Sequence, residues 1–201
     1  MESSLGPLIS VALGIGLAAA TGFRVFLPLL AVALAARFDV IPLNDTFAWL
    51  DSTAAIVTLG TASVLEVLAY YVPGVDHALD LLASPATLVA GTLASASVMA
   101  DIPPAVLWPI AIIAGGGVAG LTKGTTALVR AKTGVATVGL GNPVVATVET
   151  AGATLLSVLA IAVPLLCLIA VVFLLYWIGT RAGRLVFRAN RREPGAGDGS
   201  R

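Results

Sequence analysis

Apolar stretches long enough to cross a lipid bilayer follow one another through most of this chain, and that pattern limits what it can fold into. About 20 residues span the hydrocarbon core at 1.5 Å per residue. The sequence offers Leu5 to Thr21, Thr53 to Val72, Pro85 to Ala100, Ala105 to Leu121 and the long run Pro143 to Ile178. Between them stand few charges: 11% of the 201 residues are charged and 58% are hydrophobic. A soluble domain carries about 25% charged residues, so the charges here are too few to cover a water-facing surface. The expectation is an all-α integral membrane bundle solvated by lipid.

The runs divide unevenly. Pro143 to Ile178 would measure ~54 Å as one helix, beyond a ~30 Å core. Pro164 stands near its middle and splits it into a fifth and a sixth crossing. At the other end the apolar character continues from Leu5 to Ala36, too long for one span and too short for two. Gly22 and Pro28 mark a break, which predicts one crossing followed by a short helix that re-enters or lies at the interface. Lys123 to Lys132 is weakly amphipathic and predicts a segment on the membrane surface. About six transmembrane helices result, in a single domain over 1–187. Residues 188–201, rich in Gly and Arg, predict a disordered cytoplasmic tail.

Lys and Arg placement sets topology. Lys123, Arg130 and Lys132 should share the cytoplasmic side with Arg181, Arg184, Arg188, Arg191 and Arg192. Counting crossings back puts the N-terminus there too. The N-terminus carries Glu2 and no basic residue, so it is read as a retained helix and not a cleaved secretory signal. Trp49 and Trp108 fall at outer borders, and Tyr70, Tyr71, Tyr176 and Trp177 at inner ones.

Two segments recur in order. Gly14-Ile-Gly16-Leu-Ala-Ala-Ala-Thr21 resembles Gly115-Gly116-Gly117-Val-Ala-Gly120-Leu-Thr122, and Val64 to Pro73 resembles Leu155 to Pro164. Each half, 5–100 and 105–187, would hold three helices, and an odd number inverts one half against the other, a plan shared by transporters and channels. Chance matching among Ala, Val, Leu and Gly is the alternative. The glycines suit close helix packing or unwound backbone at a binding site. Pro28, Pro73 and Pro164 act as breaks or ends.

Charges inside the membrane cost ~2.5–3.5 kcal/mol each on insertion scales and mark function by default. Glu66 and Glu149 fall at one depth, ~9 Å inside the cytoplasmic border. Such a pair suits cation binding or proton relay; alternatively each is tied locally and only fixes packing. Arg24 follows the break at Thr21-Gly22, where it can hold an anion, pair with a carboxylate or reach the outer headgroups. Lys123 is a shallower candidate. Thr21, Thr122 and Asn142 complete the candidate path, Asn142 also reading as a helix N-cap ahead of Pro143. Asp76-His77-x-x-Asp80 reads as a solvated loop or helix start, with weak metal binding as the alternative.

Zero net charge gives no basic field for nucleic acid, and one Cys with one His excludes a disulfide or a Cys/His metal cluster within one chain. No catalytic set of residues is visible, so an enzyme is the weaker class and no cofactor is implied. The leading expectation is a small transporter or channel for an ion or small solute, which six crossings would complete by forming a homodimer. The other is a scaffold or assembly factor that docks partner membrane proteins.

The run Gly14-x-Gly16-Leu-Ala-Ala-Ala-Thr-Gly22-Phe-Arg24-Val-Phe-Leu-Pro28, with Glu66, Val72 to His77, Asp80 and Gly141-Asn142-Pro143…Glu149, resembles a bacterial membrane-protein family known only as a domain of unknown function. The resemblance covers roughly Leu5 to Val172. It implies a compact multi-pass protein of the inner membrane and brings no activity, substrate or cofactor.

Overall fold

The computed structural model describes residues 6–72, 75–100, 102–137 and 141–190. Among these the chain is helical throughout, with no strand. The helices are α1 Gly6–Thr21, α2 Phe26–Arg37, α3 Thr53–Ala69, α4 Val75–Ser97, α5 Pro104–Ile110, α6 Gly117–Thr137, α7 Asn142–Ala162 and α8 Pro164–Asn190. A 3-10 turn, Asp45–Asp51, precedes α3, and a π-helical stretch, Ala111–Gly116, joins α5 to α6 without a break.

Local chemistry explains the ends. Ser52 Oγ accepts from Ala55 N at 3.1 Å and caps α3. Asn44 caps the 3-10 turn through Thr46 N and also donates to Met99 O, tying that turn to the end of α4. α2 closes with Asp39 at φ 55°. Asp39 N and Val40 N bond back to Ala36 O and Ala35 O, the paired bonds of a Schellman cap.

α1 is the central helix. It is apolar on every side, as a helix enclosed by others must be, and Ala12, Leu17, Ala18, Ala20 and Thr21 have no exposure. It packs against α4, α6, α7 and α8. Small residues set the approach: a Cβ on Gly14 would lie 2.8 Å from Ser95 Oγ, and one on Gly22 2.3 Å from Thr122 Cβ. Gly117 faces open space instead and takes no part in this packing.

The outside is apolar as well. Ile113, Leu155, Ile169 and Phe173 stand 75%, 70%, 66% and 67% exposed. Soluble monomers rarely leave large apolar patches in water, so these side chains belong in lipid. By length and composition two helices can cross a membrane, Pro104–Thr137 and Asn142–Ala162. A third counts if Asp45–Asp51 and Thr53–Ala69, bent by 70°, form one span. α1, α2 and Pro164–Tyr176 are apolar but shorter.

The long apolar run divides at Pro164 as its length requires: the chain doubles back at Val163, where Cys167 Sγ lies 3.8 Å from Leu156 O, whereas eleven residues of straight helix would separate them by about 16 Å. Several other expectations need correction. Pro28 does not break a helix; it sits in the first turn of α2, where its missing N–H costs little, and the break is residues 22–25. α2 is no surface helix, for Pro28, Leu29, Val32, Ala33 and Ala35 are buried. Pro85 lies inside α4, which already begins at Val75. Lys123 to Lys132 lies in the C-terminal half of one continuous 34-residue helix. Asn142 begins α7 but Gly141 is its N-cap, which puts Pro143 one position later than expected. A side chain at Gly141 would strike Thr133 and Thr137, so the turn closes too tightly for Asn there. α8 runs to Asn190, past the expected start of the tail. Pro73 and residues 191–201 lie outside the described residues, as do the side chains of Asp76, His77 and Asp80.

Helix directions also differ. Gly16 meets Cys167, and Phe23 and Leu174 line one cavity, so α1 and α8 run parallel. Residues 6 and 190 therefore lie at opposite ends of the bundle, not on one face.

Candidate functional site

The break between α1 and α2 is buried. Thr21 and Arg24 have no exposure and Val25 has 6%. Three amides of the turn bond back within α1, Gly22 N to Ala19 O and both Phe23 N and Arg24 N to Ala20 O. The next two, which begin α2, need acceptors from elsewhere because Val25 supplies no side-chain cap. Glu66 on α3 provides both: Oε1 accepts from Val25 N at 2.8 Å and Oε2 from Phe26 N at 3.1 Å. A carboxylate at a helix N-terminus also meets the positive end of the dipole.

Arg24 points inward from this turn. Its Nε donates to Thr150 Oγ1 at 3.0 Å and its Nη2 to Ala146 O at 2.8 Å. Nη2 stands 3.9 Å from Glu149 Oε2. Nη1 makes no hydrogen bond among the described residues. Arg24 therefore does not snorkel to headgroups; it cross-links α1 to α7.

Tyr70 gathers the cations. The Arg24 guanidinium lies 4.2 Å from its ring centroid, that of Arg130 4.5 Å, and Lys123 Nζ 5.6 Å. Lys123 Nζ also donates to the Tyr70 hydroxyl at 3.2 Å. Arg130 Nη2 in turn bonds Glu149 Oε2. Tyr70, Lys123, Arg130 and Glu149 are each at most 5% exposed. Cations over an aromatic face gain most when desolvated, about 2 kcal/mol.

Of the residues expected at a site, Arg24 and Glu149 meet directly, and Glu66 caps the turn that carries Arg24. Thr21 and Thr122 flank that turn, each bonded to its own helix, at Ala18 O and Val118 O. Asn142 is buried about two turns before Glu149. The two carboxylates do not meet in the cavity that Glu149 lines. That cavity, of about 390 Å³, lies between α6, α7 and α8 and includes Glu149, Thr122 and Thr126 in its lining, but not Glu66.

In the sequence Tyr70 marks a membrane border and Arg130 the topology, and neither stands out as a site residue. A signal for each existed. Tyr70 follows Glu66 by four residues, and Lys123, Thr126 and Arg130 recur at three and four, so each set occupies one helix face. No group of three metal-ligating side chains occurs among the described residues.

These features define a helical membrane protein with a charged, aromatic centre built around a broken helix. The chain belongs to the DUF4126 family, a domain of unknown function, whose model matches residues 11–182. No curated protein matches it, and no solved structure does.

Proposed function

We propose that this is a multi-pass inner-membrane protein that passes an ion or small solute through the Arg24–Tyr70–Arg130–Glu149 centre. The observation that carries the reading is the burial of Arg24, at 0% exposure, on a helix break inside the bundle. Irregular backbone at membrane depth persists only where protein or a water-filled path surrounds it. Broken helices of this kind form the binding sites of many transporters. Five ionisable side chains converge here, and apolar residues of similar volume would hold helices together at lower cost. The π-helical stretch Ala111–Gly116 adds a second irregularity of a type frequent at functional sites.

In this reading α1 and α2 form a re-entrant hairpin, and α3, α4, α5–α6, α7 and α8 make five crossings. That replaces the six-crossing arrangement. The basic residues of the C-terminal segment keep that end in the cytoplasm, and the N-terminus falls on the other side. The two sequence matches favour a duplication, but not an inversion of its first helices: α1 and α6 both run antiparallel to α4, Gly14 and Gly115 each meeting Ser95 while Thr21 lies by Gly91 and Gly120 by Leu88.

A second reading, a scaffold that docks partner membrane proteins, is favoured by one observation. Glu66 is sealed by the α2 amides and does not reach the cavity that Glu149 lines. Ion and proton flux into proteoliposomes separates the two. Transport predicts flux in wild type that falls to background in Glu149→Gln with insertion intact. Equal flux in protein-free vesicles and in both proteins favours the scaffold.

A further inference from the structure

The cavity between α6, α7 and α8 has an almost wholly apolar surface, a property that the transport reading does not use. Its deep end is Phe23, Thr122 and Glu149, beside the buried centre. Its walls toward the other end are Val129, Val144, Val145 and Val148. Three of these are open to the outside, Val129 at 49%, Val144 at 66% and Val148 at 64%. The cavity therefore opens sideways, where the bilayer lies.

Helical spacing continues the lining. Thr122, Thr125, Thr126 and Val129 occupy one face of α6, and the next residue on that face is Lys132, three positions on. Lys132 is exposed. α6 and α7 run antiparallel here, for Arg130 bonds Glu149 while Gly134 faces Asn142 and Gly141 meets Thr137. A slot with apolar walls, a lateral opening and a lysine at its mouth matches one kind of occupant. We infer that this slot holds one acyl chain of an anionic phospholipid, with the chain against the valines and Phe23 and the phosphate at Lys132.

The source of the occupant is the bilayer itself, and the mouth explains the headgroup preference. A lysine near the membrane surface attracts anionic lipid by about five-fold in occupancy. The walls are β-branched valines with few rotamers, which cannot swing aside to make room beside a bulky replacement.

The test uses the full chain in phosphatidylcholine vesicles containing a minority of phosphatidylglycerol, some of it carrying a diazirine in its acyl chain. After irradiation, the labelled peptides are identified by mass spectrometry. Labelling should concentrate on the peptides holding Val129 and Val144 to Val148. Val145→Trp should lower it there about ten-fold while the lipid-facing residues Leu155 and Ile169 keep their labelling. Lys132→Gln should lower the preference for phosphatidylglycerol over a matching phosphatidylcholine probe about five-fold. Val145→Phe, a smaller filling, reads the same outcome if tryptophan prevents folding. Label spread over Ile113, Leu155 and Ile169 in proportion to their exposure overturns the inference, as does equal slot labelling in the filled variants.

Discussion

Replacing Glu66 by Ala should loosen the buried turn on which the whole centre is built. Two hydrogen bonds disappear, at 2.8 Å from Val25 N and 3.1 Å from Phe26 N. An amide left without a partner in a dry site costs about 1–3 kcal/mol. Val25 is 6% exposed and bears that cost in full, while Phe26, 37% exposed, recovers part of it. Loss of the carboxylate at the helix end adds about 0.5–1 kcal/mol. The sum is about 2–4 kcal/mol. Glu66→Gln keeps one acceptor oxygen and should lose only about 1–2 kcal/mol.

The order wild type, Gln, Ala is thus the signature of capping, and reversible unfolding in mixed micelles followed by tryptophan fluorescence measures it. A mere electrostatic role would make Gln and Ala equal, because both remove the charge. If the two variants unfold together, or if Ala lies within about 0.5 kcal/mol of wild type, the capping argument is wrong. A titrating Glu66 that carries the transported ion predicts the opposite split: Gln destroys flux and leaves stability nearly unchanged.

Other expectations can be checked alongside. Gly22→Ala places a methyl 2.3 Å from Thr122 Cβ and should destabilise by about 1–3 kcal/mol, with partial recovery in the Thr122→Gly background. Gly117→Ala, where a Cβ meets nothing within 4 Å, should instead stabilise by about 0.5–1 kcal/mol; the same unfolding assay reads both. Asp39→Gly relieves the φ of 55° and should add roughly 0.5–1 kcal/mol. Reporter fusions at the two termini should report opposite sides of the membrane, and a shared side would refute the parallel run of α1 and α8.

The membrane class and the existence of most helices were legible in the sequence because hydrophobic run length is a local property. Pro164 likewise announced the reversal that Cys167 and Leu156 define. What escaped was pairing between distant helices. Nothing near Arg24 in the chain tells that Ala146 and Thr150, more than a hundred residues on, accept its protons. Lys123 and Arg130 suggest a surface segment because charge beside apolar sequence ordinarily means an interface. Their three-and-four spacing pointed inward, but only a partner face bearing Tyr70 and Glu149 decides that choice.

The start of the chain is ambiguous for a similar reason. A single crossing followed by a surface helix and a hairpin of two short helices share one hydropathy profile, since both read as an apolar run with a break. They differ in where the turn ends. An Arg at a crossing's end can reach water, so it needs no partners. An Arg at a hairpin tip inside the bundle must find them, and here it finds a hydroxyl, a carbonyl, a carboxylate and an aromatic face. The helix beginning at that tip must also find acceptors for its first amides, which fixes a carboxylate on a neighbouring helix at the same level. Arg24 and Glu66 are therefore two consequences of one event, the reversal of the chain within the bundle.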